Sequence, residues 1–259
     1  MMYRLKNSKK SHTGYRYVNC VLVVMFLAAC SSSQEQEEIP TPVNSTRIIE
    51  FSGYEWIVRD TDDKTAGPGP NYFSDSEENV WVDNQGRLHL KITENAGLWS
   101  CAGITLRNSY GFKKYVFYVA SNVDALDKNV VGGLFSYTND EEEIDIEFSK
   151  WSQDENENSQ FAIQPSYLAG NKSRYGLNLN GKLSTHYFDW QADVIEFGSY
   201  LGHTLTPGAD DVISEWSYTG DNIPPAGDER IKINLWLFKG ARPSNDMEQE
   251  MIIDHFEIQ

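Results

Sequence analysis

Between Glu141 and Phe148 the chain reads EEEIDIEF, and from Glu143 onward acid and apolar residues alternate strictly. Side chains on a strand repeat with period two. Glu143, Asp145 and Glu147 therefore share one face, and Ile144, Ile146 and Phe148 share the other. Neighbouring acids on that face stand about 7 Å apart at the backbone and repel each other when both are ionised. Such crowding has a chemical use. It keeps one carboxyl protonated near neutral pH while another stays charged, the division of labour that cleaving a glycosidic bond requires. A second reading is an exposed edge strand kept soluble by its charges, and the alternation alone does not choose between the two. The first reading sets a geometric condition. Residues 143 and 147 lie about 13 Å apart along an ideal strand, whereas a retaining pair of carboxyl groups sits about 5–5.5 Å apart. The side chains must lean together on a bent strand.

The elements that would hold this ribbon are also strands. Residues 87–93 place Leu88, Leu90 and Ile92 on one face, after an Asn84-Gln85-Gly86 turn. Alternating or apolar runs follow at 110–120, 130–137, 159–166, 185–190, 193–197, 230–238 and 250–258. In the 230–238 run Ile231, Ile233, Leu235 and Leu237 take one face, and Lys232, Asn234, Trp236 and Phe238 the other. No helical period appears after residue 46. Many short strands separated by Gly, Pro, Asn and Asp predict one all-β sandwich or barrel. The irregular stretches near 60–78, 150–158 and 205–228 are expected to rim a cleft or cover an edge.

The start of the chain has a different character. Arg4, Lys6, Lys9, Lys10 and Arg16 precede an apolar run from Val18 to Ala29, which ends in Leu27-Ala28-Ala29-Cys30. This predicts a signal peptide over 1–29, with Cys30 as a lipidated first residue in a lipobox-like context. The alternative is an uncleaved anchor. Residues 30–46, polar, acidic and then Pro-containing, read as a flexible tether, and 47–259 as a single domain. The expected location is a bacterial cell envelope, tied by lipid to the outer membrane. The acids soon after Cys30 resemble signals that carry some lipoproteins to the outer surface. Removing 1–29 takes five basic residues from a chain at −16 and leaves −21. That balance argues against nucleic acid and against an anionic polysaccharide held by a basic groove, and it favours a neutral sugar polymer as the partner of a monomer. Cys101 is then the one remaining cysteine, which excludes an intrachain disulfide and reads as a small buried residue. His89, His186, His203 and His255 lack zinc-ligand spacing. Neither a phosphate-binding Gly-rich loop nor a G-x-S-x-G turn is present.

Glu143-Ile-Asp145-Ile-Glu147-Phe148 resembles the signature strand of glycoside hydrolase family 16, which includes lichenases, laminarinases and marine-galactan hydrolases. Tyr110-Gly111-Phe112, Thr185 to Trp190, Asn234-Leu235-Trp236 and Met251 to Phe256 resemble further strands of that family, in the expected order over about residues 50–259. The resemblance implies a concanavalin A-like jelly roll, a sandwich of two curved antiparallel sheets with the polymer in the concave face. It implies retaining endo-hydrolysis, with Glu143 as nucleophile, Glu147 as acid and then base, and Asp145 tuning both. The first-choice substrate is a β-glucan, and a galactan is next. Trp236, Asn234 and Gln164 would line the cleft. Read from the residues alone, Trp236 fits a core position as well, and Gln164 a solvated one. A structural calcium would touch Gly86 and Asp254, and no cofactor would serve the chemistry. The stretch Cys101-Ala102-Gly103-Ile104-Thr105 departs from the lichenase pattern, which has an acid at the place of Gly103 and an Arg at that of Thr105. Glu141 stands where a Trp is common. These departures motivate a second expectation, an inactive glycan-binding surface lipoprotein on the same fold.

Overall fold

The computed structural model describes residues 46–259; the signal peptide, Cys30 and nearly all of the tether lie outside the described residues. Sixteen strands occur among them: β1 (Ile48–Phe51), β2 (Tyr54–Val58), β3 (Tyr72–Phe73), β4 (Val80–Val82), β5 (Leu88–Asn95), β6 (Leu98–Leu106), β7 (Lys114–Val119), β8 (Val130–Asn139), β9 (Glu142–Phe148), β10 (Ser159–Ile163), β11 (Lys172–Tyr175), β12 (Ser184–Trp190), β13 (Ile195–Leu201), β14 (Val212–Tyr218), β15 (Arg230–Leu237) and β16 (Gln249–Ile258). Three short 3₁₀ turns are the only helical pieces in this region.

The strands form two antiparallel layers. One runs β1-β2-β6-β15-β8-β9-β10-β11, and the other β4-β5-β16-β7-β12-β13-β14. The β5–β6 hairpin passes from one layer to the other, with β6 pairing β15 along its second half. Short β3 lies parallel to β6 at this corner. This is the expected jelly-roll sandwich of two curved sheets.

The period-two pattern explains the core. Leu88, Leu90 and Ile92 are fully buried, as are Ile144, Ile146 and Phe148. Ile231, Ile233, Leu235 and Leu237 are buried on the inner face of β15. Aromatic contacts join the layers: Phe161 stacks on Phe197 with centroids 5.0 Å apart, and Phe148 meets His186 edge-on at 4.8 Å. Strand ends depart from the sequence expectation in places. β10 stops at Ile163 rather than 166, because residues 164–171 turn tightly, with Leu168 N–H donating to the Pro165 carbonyl at 3.1 Å. β14 falls inside the stretch expected to be irregular. It is an edge strand whose polar residues leave little hydrophobic alternation to detect.

Candidate active site

With the inner face of each strand committed to the core, the alternate residues of the first layer line an open groove of about 1350 Å³. The register sets them in rows across the strands. One row runs Arg174, Gln160, Glu147, Gly133, Asn234 and Gly103, on β11, β10, β9, β8, β15 and β6. Arg59, just past β2, extends it by donating its main-chain N–H to the Gly103 carbonyl at 2.9 Å. The next row runs Lys172, Ala162, Asp145, Phe135, Lys232, Thr105 and Ile57. Glu143 lies opposite Tyr137 in a third. Glu143, Asp145 and Glu147 all line the groove. The ribbon is paired on both sides, by β8 and β10, so it is no solvated edge strand.

The acids are held by hydrogen bonds and by one another. Asp145 is buried, and its Oδ2 accepts from Gln164 Nε2 at 2.9 Å. Ser166 N–H donates to Gln164 Oε1 at 2.9 Å and fixes which way that amide faces. Glu147 Oε2 accepts from Gln160 Nε2 at 2.6 Å, and Gln160 Oε1 accepts from Arg174 Nη1 at 2.8 Å. A guanidinium thus reaches the carboxylate through an amide. Burial, then the charge of Glu147, pushes Glu143 up to about 7. Burial, then the charge of Asp145, pushes Glu147 up to about 8. Asp145 rises well above the usual carboxylate range for the same reasons, burial first and Glu143 second. An interaction between the two carboxyls favours the proton on Asp145 and the charged form on Glu143. This order, with Glu143 losing its proton before Glu147, is the one a nucleophile–acid pair of carboxyls would need.

Of the expected cleft residues, Gln164 is the partner of Asp145, and Asn234 and Trp236 both line the groove. The two expectations for Trp236 merge. It is only 8 % exposed, yet it forms a groove wall with Trp151, their ring centroids 6.2 Å apart. The Asn234 amide lies across Gly133, where a Cβ would fall 2.5 Å from its Oδ1. Glycine is what lets this amide extend toward the ribbon.

Sequence reasoning missed Gln160, Arg174, Trp151, Arg59 and Lys232. Gln160 was legible in principle: once residues 149–158 are taken as the loop joining two paired strands, the register sets it opposite Glu147. Trp151 sits in that same loop, which was expected to rim a cleft. Arg59 and Arg174 come from segments distant in sequence and carried no local signal, whereas Lys232 shares the β15 face already read for Asn234 and Trp236 and was not singled out. The absence of an acid and an Arg at Gly103 and Thr105 is physically filled from next door. The Arg59 stem packs on Gly103, with Cβ and Cδ 3.6 Å from where a Gly103 Cβ would lie, and the guanidinium covers the Phe73 ring at 3.9 Å.

The remaining titratable candidates are structural. Cys101 is buried, and burial pushes its thiol up to about 12, so it stays protonated. His186 is fully buried between Ser199 Oγ (2.7 Å) and Ser184 Oγ (2.9 Å), and burial pushes it down to about 3. Among the described residues no group of three or more His, Cys, Asp or Glu side chains forms a metal cluster. Gly86 and Asp254 bring one carbonyl and one carboxylate, and Asp254 Oδ2 already faces His203 Nδ1 at 3.7 Å. Calcium takes six to eight oxygens, so this donor set does not fit it.

No family model matches the chain, and no curated protein matches its sequence. Solved structures do resemble it. A β-glucanase of Bacillus licheniformis aligns with TM-score 0.56 at 20 % identity, over 78 % of this chain and 90 % of that one. A prokaryotic β-1,3-1,4-glucanase (lichenase) from a mouse hindgut metagenome aligns with TM-score 0.56 at 19 % identity, over 79 % and 92 %. An immunostimulatory antigen and pseudo β-1,3-glucanase of Mycobacterium tuberculosis aligns with TM-score 0.58 at 17 % identity, over 78 % and 90 %. The chain shares the fold of the β-glucanases.

Proposed function

We propose that this β-glucanase-like fold carries out retaining endo-hydrolysis of a β-linked polysaccharide, with a β-glucan backbone as first choice and a galactan next. The observation that carries the reading is the acid ribbon itself: Glu143, Asp145 and Glu147 share one face of β9 on the floor of a groove, where burial and mutual repulsion raise Glu143 to about 7 and Glu147 to about 8. In a first step the Glu143 carboxylate attacks the anomeric carbon while Glu147 gives its proton to the departing oxygen. In a second step Glu147, now a base, takes a proton from water, which displaces Glu143 from the glycosyl-enzyme. Gln160 holds the Glu147 carboxylate throughout, and Trp151 and Trp236 offer apolar faces to sugar rings.

Glu147→Ala should abolish release of reducing ends and leave polymer binding measurable by affinity electrophoresis. Anomeric analysis of the first products by NMR should show retention. A wild-type protein that releases nothing from a panel of glucans and galactans overturns the hydrolase reading, and binding without cleavage would make the chain an inactive glycan-binding lipoprotein. We also propose lipid attachment at Cys30 to the cell envelope and a monomeric domain. Cys30→Ala should release the protein into the soluble fraction, and light scattering should give the monomer mass.

A further inference from the structure

The charge of the whole chain hides a cationic pair inside the groove. Arg59 and Lys232 both line it, on adjoining rows and either side of the Gly103–Thr105 stretch. Lys232 Nζ sits 3.9 Å above the Tyr137 ring, and the Arg59 guanidinium sits 3.9 Å from the centroid of Phe73. Neither forms an ion pair with a carboxylate among the described residues. Arg59 donates to the Gly67 carbonyl. Burial disfavours the charge of both, and for Lys232 the charge of Arg59 adds to the cost, while Glu143 partly offsets it. Two like charges held on aromatic rings in a half-buried wall have no carboxylate within ion-pair distance, and Glu143 offsets only part of the cost for Lys232. Gly103 and Thr105 line the groove between the two cations.

We propose that Arg59 and Lys232 form a subsite for an anionic substituent, a carboxylate or a sulfate ester, on a sugar near the cleaved bond. Lys232 lies two strands from the acid ribbon, a backbone distance of roughly 10 Å, so the substituent belongs to a sugar next to the catalytic point. The planar guanidinium supplies paired donors and the ammonium a point charge, a combination that suits a group with two or three equivalent oxygens. This subsite rests on the hydrolase reading and narrows its substrate to β-linked chains that carry acid groups. It also reverses the expectation drawn from net charge: −16 describes the whole chain, whereas the field felt by one sugar is set by the two cations beside it.

The test compares matched oligosaccharides or polymers of one backbone in three forms: neutral, carboxylated and sulfated. Turnover is measured on wild type and on Arg59→Met with Lys232→Met, and binding on Glu147→Gln versions of both. Wild type should favour one acidic form by tenfold or more in kcat/KM, with the preference shrinking as salt rises. The double variant should lose that preference when each protein is compared at its own pH optimum, which moves up in the variant because Lys232 also favours the charged form of Glu143, and it should melt at the same temperature. The better acidic form tells carboxylate from sulfate. Cleavage of the neutral form with no acidic preference, or an equal loss on all forms, overturns the subsite and leaves the hydrolase reading standing. Salt-sensitive binding of an acidic form that depends on both cations, with no turnover of any, keeps the subsite and overturns the hydrolase reading. Absence of both binding and turnover overturns both.

Discussion

At the scale of single residues, the proposed hydrolysis turns on the order in which Glu143 and Glu147 give up protons. In that mechanism Glu143 must be charged to attack and Glu147 must be protonated to assist. The active form is therefore most populated between about 7 and about 8. We expect kcat/KM, which reports the free enzyme, to trace a narrow bell with its maximum in that window. A maximum near pH 5 would mean the roles or the couplings are wrong. Gln160 offers a sharper check. Its amide favours the charged form of Glu147, so Gln160→Leu should raise the pKa of Glu147 further and move the alkaline limb of the bell upward. A purely structural residue would lower the rate and leave that limb where it was.

At the scale of elements, the site depends on strands that leave room for one another. β8 carries Gly132 and Gly133, and the second lies between Glu147 on β9 and Asn234 on β15. Gly133→Ala places a Cβ 2.5 Å from Asn234 Oδ1, so the amide must swing away. Overpacking of this kind costs about 1–3 kcal/mol. Thermal melting should fall by several degrees and kcat/KM with it. Gly103→Ala makes only contacts of 3.6 Å or more, and its melting temperature should stay within about a degree of wild type. Such neighbours explain what the sequence could and could not reveal. β9, β15, β5 and β16 were legible because each sets apolar residues on its core face against mostly polar ones on the other, which writes the period-two pattern into the chain. β1 to β4, β6, β11 and β14 were not marked. β3 has two residues and β4 three, too few to show a period, while β6 has buried residues on both faces over Cys101–Ile104 and so no alternation. The acid ribbon was plain because all three acids lie within five residues. The row of Arg174, Gln160 and Arg59 exists only once β11, β10 and β2 are set beside their partners.

At the scale of the whole molecule, the groups that serve the site and those that hold the fold respond to pH in opposite directions. Glu143, Asp145 and Glu147 have folded pKa values above their ordinary 4.5, 3.8 and 4.5. Their contribution to stability is full below those ordinary values, and for Glu143 and Glu147 it is lost as pH rises through about 7 to 8, since the unfolded chain ionises first. His186 works the other way. Its unfolded ring takes a proton near 6.5 and its folded ring only near 3, so stability falls as pH drops through that interval. Asp127, Glu229 and Glu248, held below the carboxylate range by hydrogen bonds that outweigh their burial where they are buried, likewise lose their contribution in acid. The melting temperature should therefore peak near pH 4–5, where the three ribbon acids begin to ionise in the unfolded chain and outweigh the single proton of His186, well on the acid side of the proposed activity maximum. Glu147→Gln tests the cause. At pH 9 it removes a charge that the folded state holds at a cost. One pKa unit corresponds to about 1.4 kcal/mol, and with allowance for partial solvation the gain should be about 1–2 kcal/mol, or roughly 2–8 °C. At pH 4, where Glu147 is protonated in any case, the variant should melt with wild type. Glu141→Gln removes the same charge from an exposed position, and it should move neither value by more than about a degree. An equal gain from both substitutions would assign the alkaline loss to general repulsion in an acidic chain rather than to the ribbon.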